Sequence, residues 1–135
     1  MYETVTPIEG GGVAIRVTPM FMPQESDADA GTFFWAYTIE IENRSPRLVQ
    51  LLTRYWRISS ASGHAQEVEG DGVVGKQPVI RPGEIHRYTS GVPLDAPSGL
   101  MGGHYGMVET QSGLHFRATI PTFALDSPMS TQRAN

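Results

Sequence analysis

One segment, residues 33–42, limits what this chain can fold into more than any other part of the sequence. Its odd positions carry Phe, Trp, Tyr, Ile and Ile, whereas its even positions end in Thr, Glu and Glu. Successive side chains of a β-strand point to opposite faces, so this alternation places one face in a core and the other in water. A strand of this kind is typical of an antiparallel sheet.

Turn-forming residues cut the rest of the chain into short pieces. Glycine and proline together contribute 25 of the 135 residues, which is well above their usual share in globular domains. Valine, isoleucine and threonine number 29, against 18 for alanine, leucine and lysine together. Because the first group favours strands and the second favours helices, the composition disfavours a helical bundle.

About seven short segments carry strand patterns between these turns, which predicts an all-β fold, a β-sandwich of antiparallel strands. The last two segments are predicted to form a hairpin that pairs residues whose numbers sum to 225. Its buried face is predicted to carry Tyr105, Met107, Phe116, Ala118 and Ile120. Residues 93–103 are predicted to form a loop. Trp56 and Tyr105 parallel the buried Trp and the corner Tyr of immunoglobulin-type sandwiches. The predicted strands are 13–17, 33–42, 47–59, 64–69, 85–90, 104–110 and 114–120.

Length and charge bound the class of protein. A chain of 135 residues predicts a single domain, with a core over about 5–125 and a disordered tail over 126–135. The net charge of −4 and the lack of a basic run disfavour a nucleic-acid partner. No apolar run has the length of a membrane span and the N-terminus has no secretory pattern, so we predict no membrane partner and a cytoplasmic location.

Residues 70–76 are the one stretch that matches a ligand-binding pattern. They satisfy the dinucleotide pattern G-x-G-x-x-G and the first seven positions of the phosphate-loop pattern. Both patterns require a helix to follow, and Pro78 and Pro82 exclude a long one. The phosphate loop also requires Ser or Thr where this chain has Gln77. Both nucleotide interpretations therefore fail in their usual form.

Two interpretations of these glycines stay open. Backbone amides around Gly70, Gly72 and Gly75 could form an anion-binding nest, with charge from Lys76 or Arg81. Alternatively, the glycines only permit positive φ and close backbone approach in a connection between strands. The first interpretation predicts a candidate pyrophosphate or nucleotide site at these five residues.

Other constellations point to no chemistry. The four histidines, at 64, 86, 104 and 115, have no metal-ligand spacing, and the absence of cysteine removes thiolate sites. The predicted hairpin register separates His104 from His115, whereas a pairing of His86 with His104 stays open. We find no hydrolase motif and no acid–base pair, and therefore predict no catalytic residues, no metal and no cofactor. Residues 20–22 (Met-Phe-Met) are either core or a partner-binding surface.

A set of motifs along nearly the whole chain, from about residue 5 to 128, resembles the bacterial ApaG family. The motifs are Tyr37-x-Ile39-x-Ile41-x-Asn43, Leu51-x-x-Arg54-x-Trp56-x-Ile58, Gly72-Val73-Val74-Gly75-Lys76-Gln77-Pro78, Pro82-Gly83, Tyr88-x-Ser90-Gly91, Gly99-x-Met101-x-Gly103-x-Tyr105-x-Met107, Phe116 and Ile120-Pro121-x-Phe123-x-Leu125. The resemblance implies a fibronectin type III-like or immunoglobulin-like sandwich and a cytoplasmic bacterial protein.

The resemblance also bears on function. The family is often encoded beside a diadenosine tetraphosphate hydrolase, is linked to cobalt resistance and magnesium efflux, and occurs as a domain in eukaryotic F-box and polymerase-interacting proteins. It supplies no catalytic residues that could be carried over. We therefore expect a non-enzymatic protein-interaction module with an unidentified protein partner, a homodimer being one arrangement left open. The alternative is a pyrophosphate or nucleotide sensor that uses residues 70–76.

Overall fold

The fold is almost entirely β. The computed structural model describes residues 1–129. Within that range a single 3-10 turn, Pro23–Glu25, interrupts the strands. The strands are β1 (Tyr2–Ile8), β2 (Gly11–Phe21), β3 (Phe33–Asn43), β4 (Val49–Ser60), β5 (Ala65–Asp71), β6 (Val79–Ile80), β7 (Ile85–Leu94), β8 (Gly99–Glu109) and β9 (Leu114–Leu125).

Two antiparallel sheets make up the molecule. The first has the strand order β1-β2-β3-β7 and the second the order β5-β4-β8-β9, with the short β6 also pairing with β4. The sequence pattern requires this division, because β3 alternates strictly between buried and half-buried residues along its whole length and so has one face to cover. The predicted all-β sandwich of immunoglobulin or fibronectin type III type is confirmed.

Aromatic side chains fill the space between the sheets. Trp56 is 3% exposed and lies edge-on to Tyr37, with ring centroids 5.4 Å apart, and to Phe123 at 6.1 Å. Tyr105 is fully buried beside it. The alternation along residues 47–59 does not by itself predict the face of Trp56, and the structure places this side chain in the core. Such edge-to-face packing adds to the stabilisation that burial alone supplies.

Three features differ from the expectations. Strands β1 and β6 are not among the predicted strands; β1 pairs with β2 through a turn at Gly10, which has φ of +81°. Strands β7 and β8 run on through most of the predicted loop 93–103 and leave only residues 95–98 as the connection. The β8–β9 register pairs numbers that sum to 223, as in Tyr105 with Ala118, and not 225. The two-residue shift leaves the predicted buried face unchanged.

One side of the sandwich is closed by contacts between the sheets, and the other side is open. On one side β9 lies against β1 and β2, and the Thr4 hydroxyl donates to the Thr119 carbonyl at 2.5 Å. The Thr119 amide donates in return to the Thr6 hydroxyl at 3.0 Å. On the other side the sheets end at β5 and β7. That side is open to solvent between the two edge strands, and the candidate site lies there.

The chain continues past β9 along the sandwich. The Trp35 indole N–H donates to the Asp126 carbonyl at 2.7 Å, and the Ser127 hydroxyl donates to the Pro97 carbonyl at 2.6 Å. The tail predicted over 126–135 begins at these residues, and its last part, 130–135, lies outside the described residues.

Candidate binding cleft at the open side of the sandwich

A cleft of about 440 Å³ opens between β5 and β7, and we call it the edge cleft. Its walls come from the inward-facing side chains of both sheets, and the turn after β5 covers one end. The walls combine aromatic rings, aliphatic groups and one cationic group. The residues that define it here are Tyr37, Arg54, Trp56, Val68, Val74 and Tyr88.

Arg54 points into this cleft because of its place in the strand register. It alternates with the buried Trp56 and Ile58 on β4, so all three side chains face the opposite sheet. Arg54 is half-buried, and its Nη1 donates to the Asp71 carbonyl at 2.9 Å and to the Gly72 carbonyl at 3.0 Å. These bonds hold the guanidinium against the end of β5.

Arg54 has no carboxylate partner among residues 1–129. Arg16, Arg44, Arg47 and Arg57 each lie within 4 Å of at least one glutamate. The remaining arginines of the described range are exposed to water, whereas Arg54 is not. Since a guanidinium stays protonated in proteins, the edge cleft carries a positive charge that the described part of the chain does not neutralise.

Three tyrosines surround this charge. Burial raises the pKa of the Tyr37 and Tyr88 phenols, and Arg54 opposes the rise in both. Burial raises the pKa of Tyr105 well above its usual range, and its hydroxyl bonds to that of Tyr88. The corner Tyr of immunoglobulin-type domains bonds to backbone instead. Tyr105 therefore resembles that corner Tyr in being buried but not in its hydrogen bond. All three phenols are neutral at physiological pH and can donate hydrogen bonds.

The turn that covers the edge cleft is a two-residue hairpin. The Val73 amide donates to the Lys76 carbonyl at 2.8 Å, and the Lys76 amide donates to the Val73 carbonyl at 3.0 Å. The central residues Val74 and Gly75 have φ of +48° and +75°, the geometry of a type I′ turn. Positive φ is strained for a β-branched residue, yet Val74 is 65% exposed. Packing of the core therefore does not require a valine at position 74.

The structure gives the predicted glycines backbone roles. Gly70 lies under the Arg54 guanidinium, and a Cβ there would come within 2.7 Å of Nη2. Gly72 has φ of +65°, and a Cβ would come within 2.3 Å of the Lys76 carbonyl oxygen. The Gly72 amide donates to the Leu52 carbonyl at 2.8 Å. Backbone partners thus take up the amides of residues 72, 73 and 76.

The two predicted cations lie in different turns. Lys76 closes the hairpin, is exposed, and helps burial to lower the pKa of His86 on β7. Arg81 follows β6 in a turn in which its amide donates to the Glu84 carboxylate at 2.8 Å. Gly72, Gly75 and Lys76 are therefore brought together in one hairpin, whereas Arg81 belongs to a separate turn.

Within the part of the chain that the structure describes, each edge strand beside the cleft has one free edge. The Asn43 amide donates to the Glu84 carbonyl, so the even-numbered residues of β7 bond to β3 and the odd-numbered ones turn their backbone outward. The outward residues of β7 are Ile85, Arg87, Thr89 and Gly91. By the same rule the outward residues of β5 are Ala65, Glu67, Glu69 and Asp71.

A Ser-His-Asp cluster at the tip of the β4–β5 hairpin is a second polar site. Asp95 accepts hydrogen bonds from the Ser60 hydroxyl at 2.5 Å and the Ser62 hydroxyl at 2.7 Å, and bonds to His64 Nδ1. In a nucleophilic triad the serine bonds to the imidazole, whereas here both serines bond to the carboxylate. The cluster ties this hairpin to the β7–β8 connection.

Between residues 1 and 129, no three His, Asp or Glu side chains converge as a metal site would require. His115 lies opposite Val108 on β8, and not opposite Thr110 as the predicted register had it. In the same range no helix has the length and apolar character needed to cross a membrane.

Arg54 is the main site residue that sequence reasoning missed. It appeared only within a family motif, although one signal could have exposed it: an arginine in register with Trp56 and Ile58 on a core strand. A charged residue at a core-facing position is unusual enough to mark a candidate site. The four residues of the Ser-His-Asp cluster are too far apart in sequence for any pattern to join Asp95 to the others.

The fold and cleft define a class of protein: a two-sheet sandwich with one open side, where Arg54 is the one cation that residues 1–129 contribute to the cleft. The family model of the ApaG domain matches residues 23–109. The chain belongs to the ApaG family, as its motifs had indicated.

Relatives and solved structures agree with this assignment. Protein ApaG of Beijerinckia indica is 53% identical over 135 residues, which is 100% of both chains. Protein ApaG of Maricaulis maris is 52% identical over 128 residues, 95% of each chain. A crystal structure of the ApaA protein from Bordetella pertussis has a TM-score of 0.85 at 38% identity and covers 90% of this chain and 98% of its own. A second X-ray structure, from a structural genomics consortium, has a TM-score of 0.81 at 40% identity and covers 87% of this chain and 88% of its own.

Proposed function

We propose that this chain is a non-enzymatic protein-interaction module that binds an extended segment of a partner protein along the free edge of β7. The observation that carries the proposal is the position of this edge. Ten residues, Ile85–Leu94, form an edge strand whose inner face borders the edge cleft through Tyr88, Ser90 and Val92. An edge strand beside a pocket is the arrangement used in β-strand addition.

In this mode of binding, main-chain hydrogen bonds give affinity and side-chain pockets give specificity. The outward amides and carbonyls of Ile85, Arg87, Thr89 and Gly91 supply the ladder for an added strand. Alternate side chains of that strand would face the edge cleft, where Val68 and Val74 provide apolar surface. Pro93 has no N–H and so limits the ladder at one end.

The charge of the two edges favours β7 over β5. The outward positions of β5 include Glu67, Glu69 and Asp71, and charged residues on an edge strand discourage pairing. The corresponding positions of β7 carry one charge, that of Arg87, together with Ile85, which is 50% exposed. A second copy of this chain pairing β7 with β7 would be one form of the proposed interaction.

The pyrophosphate or nucleotide sensor has less support. An anion nest depends on free backbone amides, and those of Gly72, Val73 and Lys76 donate to backbone carbonyls. The exposed Lys76 is the feature that still favours it. Titration of the chain with pyrophosphate tests this alternative.

A matched pair of proline variants tests the proposal. Thr89→Pro removes an outward N–H from β7, whereas Glu67→Pro removes one from β5. Proteins captured by the wild-type chain from bacterial lysate are identified by mass spectrometry, and the purified partner segment is then titrated calorimetrically. We expect Thr89→Pro to weaken binding by about tenfold or more, and Glu67→Pro to leave it unchanged.

Three results bear on this expectation. Equal binding by both variants, or capture of no protein above background, contradicts the proposal. Thermal melts of both variants check that the fold survives. Sedimentation of the wild-type chain at high concentration shows whether the partner is a second copy, in which case Thr89→Pro shifts the chain to monomer.

The link to cobalt resistance and magnesium efflux stays a prediction that comes with the family resemblance. Under this proposal, the chain affects cobalt tolerance and magnesium efflux through the protein that it binds. A strain that carries Thr89→Pro in place of the wild-type gene should then lose cobalt tolerance to the same extent as a deletion strain, whereas Glu67→Pro should restore it.

A further inference from the structure

We infer that the partner segment presents a carboxylate to Arg54 inside the edge cleft. The inference rests on the proposed function and names the chemistry that the bound segment must carry. It assigns to Arg54 a role that none of the glycine motifs indicated. Three independent features of the cleft support it: an uncompensated charge, a free edge of the guanidinium, and neutral hydrogen-bond donors close by.

The first feature is the uncompensated positive charge of Arg54. Arg54 is half-buried and has no carboxylate within 4 Å in the part of the chain that the structure describes, unlike Arg16 and Arg47, which are also half-buried. Placing a charge away from water costs free energy unless a counter-charge is supplied. A chain that keeps a permanent cation facing its core, in an open cleft, is suited to receive that counter-charge from outside.

The hydrogen bonding of Arg54 leaves one edge of its fork available. Both of its protein hydrogen bonds use Nη1, which donates to the carbonyls of Asp71 and Gly72. The absence of a side chain at Gly70 lets the guanidinium lie close against β5. Nε and Nη2 have no partner within residues 1–129. These two nitrogens form the side of a guanidinium that binds a carboxylate through two parallel hydrogen bonds.

The surroundings suit a single negative charge. Tyr37 and Tyr88 line the same cleft, and burial raises the pKa of both phenols, so each hydroxyl keeps its proton and can donate to an anion. Within residues 1–129, Arg54 is the one cation that lines the cleft, and Lys76 does not line it. A carboxylate matches one positive charge, whereas pyrophosphate would bring two or more.

The test uses small probes and needs no knowledge of the partner. The wild-type chain, labelled with ¹⁵N, is titrated in turn with 3-phenylpropionate, with its neutral amide 3-phenylpropionamide, and with pyrophosphate. The readouts are the Nε–H resonance of Arg54 and the backbone amides of Val68, Val74 and Tyr88. The aromatic ring of the first two probes suits the tyrosine and tryptophan walls.

We expect saturable shifts with 3-phenylpropionate in the millimolar range, since one charge-assisted contact supports no tighter binding by a small probe. The amide should bind at least about tenfold more weakly. Arg54→Gln should abolish the response to the carboxylate, whereas Arg57→Gln, on the outer face of the same strand, should leave it intact. Arg54→Lys should restore part of the response and so guards against a folding defect in Arg54→Gln.

Each other outcome overturns the inference in a recognisable way. Equal shifts with acid and amide would show an apolar pocket without charge recognition. No shift with either probe would remove the site, and shifts with pyrophosphate alone centred on residues 72–76 would favour the anion-sensor function. If 3-phenylpropionate causes no shift at Arg54 while partner binding is still weakened by Thr89→Pro, this inference is rejected and the proposed function stands.

Discussion

The guanidinium of Arg54 lies directly against the backbone of Gly70, so closely that a Cβ at Gly70 would come within 2.7 Å of Nη2 and 2.8 Å of Cζ. The two residues face each other across the β4–β5 ladder. The glycine therefore makes room for the arginine, and the arginine in turn bonds the carbonyls of the next two residues, Asp71 and Gly72. A glycine that the sequence had suggested for anion binding is explained by a neighbouring side chain.

A double-mutant cycle on this pair should show strong coupling. Gly70→Ala should destabilise the wild-type chain by about 1–2 kcal/mol, because the guanidinium must leave its carbonyl partners. In the Arg54→Ala background the same change should be neutral or stabilising by roughly 0.5 kcal/mol, since alanine suits a strand better than glycine. Urea unfolding of the four proteins measures the difference, and additive effects would contradict the packing described.

The hairpin glycines should differ from each other in their tolerance of alanine. Gly72→Ala should cost about 3 kcal/mol, because it adds a backbone clash at 2.3 Å to the strain of positive φ. Gly75→Ala should cost about 1 kcal/mol, since its φ of +75° is strained but no atom lies within 4 Å of the new Cβ. Thermal or urea unfolding checks the ranking, and equal costs would refute it.

Replacing the strained valine should stabilise the fold. Val74→Asn places a residue that tolerates positive φ before Gly75, the preferred pair for a type I′ turn, and should raise the free energy of unfolding by about 1 kcal/mol. Val68→Asn, also at the cleft but in the extended β5 strand, serves as the control and should destabilise slightly. A Val74→Asn protein that is no more stable than the wild-type chain would show that Val74 is not strained.

Asp95 should make the fold sensitive to acid. The hydroxyls of Ser60 and Ser62 together with His64 lower the pKa of this carboxyl from 3.8 to about 2. A folded-state pKa below the unfolded value means that its contribution to stability is present above about pH 4 and is lost as pH falls towards 2. Ser60→Ala should raise the pKa of Asp95 and reduce the loss across this window.

Carboxyl ¹³C NMR titration gives the pKa of Asp95 directly, and urea unfolding at several pH values gives the slope. Ser59→Ala, at the neighbouring position of β4, is the matched control and should change neither quantity. An Asp95 that titrates at its ordinary value in the wild-type chain would show that the serine bonds do not form in solution.

Sequence reasoning recovered the parts of the fold that local periodicity controls. The strict alternation in β3 and in the β8–β9 hairpin was enough to place Tyr105 and Ala118 in the core. It failed where a strand has one face against solvent and little contrast, as in β1, whose residues alternate only between exposed and half-buried. It also failed at Pro93 and Gly99, which are turn-forming residues that lie in extended strands here.

The candidate site was harder to predict because it depends on pairings between distant segments. The partnership of Arg54 with Gly70 and the convergence of Tyr37 with Tyr88 follow from the strand order, which no local pattern encodes. The sequence motifs point instead to residues 70–76, where backbone geometry accounts for the glycines. The motif still borders the site through its backbone and its turn. Gly70 lies beneath Arg54, and the carbonyls of Asp71 and Gly72 accept the hydrogen bonds of Arg54. Val74 and Gly75 line the cleft.

The closed side of the sandwich has a practical consequence. Tyr2 begins β1, and its hydroxyl accepts a hydrogen bond from the Ala124 amide near the end of β9 at 3.2 Å. The start of the first strand and the end of the last strand are therefore neighbours, at the sheet edges opposite β7 and β5. An affinity tag, a fluorophore or a surface linker attached ahead of Tyr2 would therefore leave β7 facing outward, ready to bind.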